Sequence, residues 1–306
     1  MISVIIPVYN EEACLKDTHN RLVAALEPLQ MEWEFIYVDD GSWDASWEII
    51  KELAAADNRV RAVSFSRNFG HQTAVSAGVD FAHGDAAVVI DADLQDPPEV
   101  IPEFIKKWRE GYEVVYGVRQ KRKESFLKKT AYAAFYRFLK RIAYIEIPLD
   151  SGDFALMDKK VLDQLRVMPE RHRFVRGLRS WIGFRQIGIP YERAARFAGE
   201  PKYTVQKLIK LAYDGIISFS FFPLRVVTIS GFIVSGSAFF SIFVVLYFRL
   251  FTDKSIPGFA SLAIIVLFLG GVQLLGIGFV GEYITRIFDE VKQRPRYIVR
   301  ELVNPR

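Results

Sequence analysis

The sequence predicts an α/β domain on a mostly parallel sheet, followed by two helices that cross a membrane. Apolar runs alternate with helical patterns through the first 120 residues, and polar residues gather where those runs end. Nearer the C-terminus, two long stretches contain no charged residue at all.

The strand candidates are SVIIPV (3–8), EFIYVD (34–39), RAVSFS (61–66), AAVVID (86–91) and EVVYGV (113–118). Helical patterns lie near 11–27, 43–56, 71–82 and 98–109. Strands apolar on both faces and separated by helices suit a parallel sheet covered on both sides. In such sheets ligands bind beyond the carboxyl ends of the strands. YNEE (9–12), DDGSWD (39–44), RNFGHQ (67–72) and DADLQD (91–96) all fall at those ends. Four polar loops on one rim predict a site.

Within YNEE, Asn10 suits a helix N-cap and Glu11 and Glu12 suit the positive end of a helix dipole. Gly41 and Ser42 fit a turn and cap, which leaves Asp39 and Asp40 to accept hydrogen bonds from ribose hydroxyls or a base edge. DADLQ is the sharper signal. On an extended chain Asp91, Asp93 and Gln95 alternate to one face, where two like charges repel. A hard divalent ion, Mg²⁺ or Mn²⁺, removes that repulsion and takes oxygen ligands shared with phosphates. Pro97 and Pro98 then end the strand and open a helix. Zinc is not expected: the four His are scattered and Cys14 stands alone. The lone cysteine also excludes an internal disulfide and fits a reducing compartment, and no signal peptide is expected before the first strand.

The segment 119–141 carries nine Lys or Arg and one Glu among Phe126, Tyr132, Phe135, Tyr136 and Phe138. That composition suits a helix lying in the headgroup layer, or equally a nucleic-acid patch. The charge-free stretches 226–248 and 258–281 decide between them, each spanning roughly 35 Å as a helix. Lys210 and Arg225 precede the first span, and Arg286, Lys292, Arg294, Arg296 and Arg300 follow the second, so both flanks are expected in the cytoplasm. Residues 1–118 hold 9 basic and 21 acidic side chains, a net of −12; the totals of 40 and 36 leave 31 and 15, a net of +16, for 119–306. The basic half is therefore expected to meet anionic lipid, and no nucleic-acid partner is expected. The 51% of hydrophobic residues and mean hydropathy of +0.13 agree with a membrane protein.

Together, SVIIPVYNEE, VDDGSWD, SRNFGHQTAVSAG and DADLQDPPE resemble family 2 glycosyltransferases of the Rossmann-like, nucleotide-sugar-binding GT-A fold. With two C-terminal spans the chain resembles the polyprenyl-phosphate glycosyltransferases within that family. The resemblance implies that Pro7, Tyr9, Glu11, Asp40, Asp91 and Ala92 hold the nucleotide sugar. It implies that Asp91, Asp93 and Gln95 hold the metal and diphosphate. It also places the acceptor phosphate on Arg119, Lys129, Arg196 and Lys202. Catalytic roles fall to Asp93, Asp153 and Arg196. Asp153 lies in DSGDFALMDKKV (150–161), where relatives read G-D-F-R, so Ala155 removes one expected cation. RFAGEPKY (196–203) resembles an R-x-x-G-E-S-K-Y acceptor loop with Pro201 in place of Ser. The implied organisation is a cytoplasmic GT-A domain (1–203), a juxtamembrane amphipathic helix (204–223), a two-helix membrane domain (224–286) and a basic cytoplasmic tail (287–306). The implied reaction is inverting transfer of a hexose, with UDP-glucose the first candidate donor, to a membrane polyprenyl phosphate, in an integral protein of the bacterial inner membrane. A homo-oligomer as large as a tetramer is compatible with the family. A processive polysaccharide synthase and an inactive membrane scaffold are the alternatives; LRSWIG (178–183) does not match the Q-x-x-R-W of the synthases.

Overall fold

The computed structural model describes residues 1–120, 151–171, 173–192, 222–251 and 258–305. The five apolar runs become β1 (Ile2–Val8), β2 (Trp33–Asp39), β3 (Val60–Phe65), β4 (Ala86–Val89) and β5 (Val114–Gln120). Between them run α1 (Leu15–Leu26), α2 (Ser46–Ala56), α3 (His71–Phe81) and α4 (Ile101–Arg109). Beyond these lie β6 (Ser151–Asp158), α5 (Lys159–Val167), α6 (Val175–Trp181) and β7 (Gln186–Glu192). The long helices α7 (Phe222–Phe251) and α8 (Phe259–Val291) precede a last strand, β8 (Val299–Val303).

All eight strands join one sheet in the order β7-β5-β6-β4-β1-β2-β3-β8. The β1–β2, β1–β4, β2–β3 and β5–β7 pairs are parallel, whereas β6 runs antiparallel to both β4 and β5 and β8 antiparallel to β3. The sheet is therefore mixed. The reversal of β6 has a functional result: its starting end, with Asp153, shares a rim with the carboxyl ends of the parallel strands. β8 is an element the strand candidates do not include: within the basic tail (287–306) it returns to close the β3 edge. Ser66 N–H donates to Ile298 O, and the Trp47 indole donates to Glu301.

The core forms because β1 and β2 are buried along their whole length. Leu15, Leu22 and Leu26 of α1 pack on one face with Phe35, Tyr37 and Ile50. On the other face α3 lies almost on β1: a Cβ at Gly78 would sit 2.1 Å from Ile5 Cγ2, so only glycine allows that approach.

The described residues fall into two compact units. One holds the sheet and residues from 294 onward, the other the two long helices up to 293. In the second unit α7 and α8 are longer than the charge-free stretches that predict them, at 30 and 33 residues. They carry Phe232, Phe243, Leu274 and Ile277 exposed. Among the described residues one stretch, Phe268–Val291, has the length and hydropathy of a membrane crossing, with mean hydropathy 1.3 and none of it buried. The expectation of spans at 226–248 and 258–281 thus has one candidate behind it. Of the expected basic interfacial helix (119–141), Arg119 and Gln120 are strand, because they pair with β7 as the end of β5, and the rest lies outside the described residues, as does the juxtamembrane helix apart from its last residues, which begin α7.

Candidate active site

The rim is assembled from side chains that bind neighbouring loops. Asn10, in the left-handed region at φ 54°, does not cap α1, which starts at Leu15. Its N–H donates to Ser42 Oγ at 3.0 Å, and its Oδ1 accepts from Trp43 N–H at 3.0 Å. Glu11 N–H donates to Ser46 Oγ and Ala45 N–H to Glu12 Oε2, both at 2.9 Å. Ser42 is correspondingly not a cap, since α2 begins at Ser46. The capping reading fails because each loop satisfies the other's polar groups. Gly41, at φ 68°, must be glycine: a Cβ there would lie 2.5 Å from the Arg67 carbonyl carbon.

The paired acids divide their work. Asp39 is fully buried and accepts from Ser42 N–H and Ser64 Oγ. Asp40 accepts from Phe69 N–H at 2.7 Å and Gly70 N–H at 3.0 Å, which fixes the loop leading into α3. Burial pushes the Asp40 carboxyl up to about 6, helped by Asp39 and opposed by those two N–H groups and His71. Pro7 is buried, Tyr9 is 38% exposed, and Ala92 is buried with its carbonyl accepting from Thr18 Oγ1.

DADLQ departs from its expected path. β4 stops at Val89, and the chain turns through 91–95 with Leu94 at φ 57°. Asp91, Asp93 and Gln95 therefore do not alternate along a strand; the Asp93 carboxylate instead accepts Gln95 N–H at 3.1 Å. Pro97 and Pro98 do open a helical turn, as expected. Asp91 meets His71, whose Nε2 is 2.9 Å from Asp91 Oδ1. His71 Nδ1 lies 3.8 Å from Asp153 Oδ2, and Gln72 Nε2 donates to that same oxygen at 3.0 Å. Burial alone would lower the His71 imidazole, but Asp91, Asp153 and Asp40 together push it up to about 9, so it is a cation at neutral pH. Among the described residues no three acidic, histidine or cysteine side chains converge to enclose a metal ion.

Arg119, expected at the acceptor phosphate, is engaged inside the fold. Its Nη2 lies 3.6 Å from Asp96 Oδ2, and its Nε donates to Tyr191 Oη, which also donates to Asp96. Lys129, Arg196 and Lys202 lie outside the described residues. The structure thus brings Asp40, Asp91, Asp93 and Asp153 to one rim and adds His71, Gln72, Asp96 and Tyr191, none of which the motif reading assigned. His71 and Gln72 sit inside the quoted SRNFGHQTAVSAG segment, so their signal was present. Asp96–Tyr191 joins residues 95 apart and has no local signature.

The family 2 glycosyl transferase profile matches residues 3–166. An uncharacterized glycosyltransferase of Bacillus subtilis is 51% identical over 98% of this chain and 93% of its own length. A prophage bactoprenol glucosyl transferase homolog of Escherichia coli is 41% identical, covering 98% of this chain and 99% of that one. The bactoprenol glucosyl transferase of Shigella phage SfV is 42% identical over 98% of each chain. Among solved structures, glucosyl-3-phosphoglycerate synthase from Mycobacterium tuberculosis matches at a TM-score of 0.44 and 20% identity over 71% of this chain and 77% of that one, too remote to bear on the site. An α/β sheet domain of this size with a polar rim and these relatives is a glycosyltransferase, built on a GT-A-like fold. More particularly, the chain belongs to glycosyl transferase family 2.

Proposed function

We propose that this protein transfers a hexose from a nucleotide diphosphate sugar to the phosphate of a membrane polyprenyl phosphate. The observation that carries the reading is end-to-end similarity to bactoprenol glucosyl transferases. UDP-glucose is the first donor to test, since those relatives are named for glucose transfer.

The acceptor needs little activation. A phosphate monoester has its second pKa near 6, so it is already anionic at about neutral pH. The obstacle is repulsion between that anion and the donor diphosphate, which makes charge placement the main catalytic task. Asp91 and Asp93 offer hard oxygen ligands at one turn of chain, which fits Mg²⁺ or Mn²⁺ held partly by donor phosphates and by Gln95. Such an ion supplies charge neutralisation for the leaving diphosphate. Around it Tyr9, Glu11 and Asp40, with Pro7 and Ala92 shaping the floor, receive the nucleoside. Asp153 is held by Gln72 and faces cations on two sides, an environment for orienting sugar or acceptor rather than abstracting a proton. Lys129, Arg196 and Lys202, with Arg119 at the rim, complete the acceptor side. The displacement is direct, with inversion, and both α7 and α8 cross the membrane with the sheet domain in the cytoplasm.

Radiolabel from a panel of nucleotide sugars, incubated with polyprenyl phosphate and Mg²⁺ or Mn²⁺, is expected to enter the organic-extractable lipid. Label in polymer, or none in lipid with any donor, rejects the reading. Asp93→Asn is expected to lower turnover at least about a hundredfold with membrane insertion intact; an unchanged rate rejects the metal role.

A further inference from the structure

The cation that the site leaves unexplained is Arg179. It is 3% exposed, yet among the described residues its Nε and Nη2 have no hydrogen-bond partner. Its guanidinium lies 5.3 Å from the centre of the Tyr116 ring. One helical turn earlier on α6, Arg176 Nη2 reaches to 3.6 Å from Asp153 Oδ1, while its own Nε is also buried and unbonded. Buried guanidinium donors are nearly always satisfied, and an unpaired buried cation is costly to a fold. Arg179 is such a cation here, and Arg176, one turn away on the same helix, depresses its charge further. Burial first, and Arg176 second, bring Arg179 down to about 10, with Asp153 acting in opposition. Nothing in the packing of α6 requires this: Val175 and Leu178 already bury its apolar side, and Val175 N–H is tied to Gln72 Oε1.

The position is informative. His71 bridges Asp91 to Asp153 on one side, and Arg176 meets the other oxygen of Asp153. The arginine pair therefore lies across Asp153 from the carboxylates assigned to the donor diphosphate. We infer that Arg176 and Arg179 form a phosphate-binding pocket whose ligand is a phosphoryl group, foremost the acceptor monoester. The inference rests on the proposed reaction for the source of that phosphate. Planar guanidinium groups suit the task because they bind phosphate oxygens through paired donors. Asp153 then acts as the positioning residue that aims Arg176.

Binding to the detergent-solubilised full chain separates the sources without relying on turnover. Farnesyl phosphate serves as a soluble isoprenoid monoester and UDP as the diphosphate, each titrated by calorimetry against wild type, Arg179→Met, Arg179→Lys and Arg176→Gln. Arg179→Met is expected to weaken farnesyl phosphate about tenfold or more and leave UDP within about twofold, with Arg179→Lys recovering part of the loss. Weaker UDP binding with unchanged farnesyl phosphate would assign the same pocket to the donor diphosphate. Unchanged affinity for both ligands, with only the melting temperature lowered, overturns the pocket. Should Arg179→Met fail to fold, Arg176→Gln decides, with unchanged affinities again overturning it. A wild-type chain that binds farnesyl phosphate through these arginines yet transfers no sugar would reject the proposed reaction and keep the pocket.

Discussion

His71 holds two carboxylates of the rim together, and the arrangement sets how the site titrates. Its folded value of about 9 stands above the usual 6.5, so the protonated ring is stabilised by the fold. The stabilisation is fully present below pH 6.5 and disappears as pH rises through 9. With 39% of the side chain exposed, water screens part of the effect. In chelator-treated protein the melting temperature of wild type should therefore fall relative to His71→Gln between pH 6.5 and 9. Parallel curves in scanning calorimetry would show that the ring is neutral in the fold. A His71→Gln variant should also lose turnover more than donor affinity, because the ring sits between the two acids and not on the nucleoside side.

At the scale of elements, α3 and β8 govern the rim. Gly78→Val would drive a side chain into Ile5 and push α3 from β1, at a cost of about 1–3 kcal/mol. Since α3 begins at His71, activity should fall more steeply than the denaturation midpoint; equal stability for the variant in urea titration would contradict the packing. The strand–helix alternation that produces β1 to β5 was legible because period and turn chemistry are local. Asp39, Asp40, Asp91 and Asp93 were legible for the same reason. β6 was not, because its direction depends on pairing with β4 and β5 and not on any pattern within 151–158. The extended reading of DADLQ failed for a related cause: Leu94 adopts a positive φ that an apolar residue seldom signals. Arg119 lies inside β5 and not after it, since the strand runs on to Gln120, and its partner Asp96 came from a loop whose approach sequence spacing does not encode.

For the whole molecule, the charge division is the feature most open to measurement. A net of −12 in the first 118 residues against +16 in the remainder gives a protein whose basic half favours anionic lipid. Turnover in nanodiscs with 30 mol% anionic lipid should exceed that in zwitterionic ones, and raising salt from 0.1 to 0.5 M should erase most of the difference, because the screening length shrinks from about 10 Å toward about 4 Å. Equal rates in both lipids would leave the basic segment without an electrostatic role.

The strand at 299–303 is synthesised after both long helices, yet it seals the edge of a sheet whose first strand begins at Ile2. Both long helices must therefore leave the ribosome before the enzyme's own β3 border can be covered. Until then that border is an open template for stray pairing. The transferase sheet is consequently finished only when the last strand has been made, and a chain stalled short of residue 299 would be left with a sticky, uncovered edge.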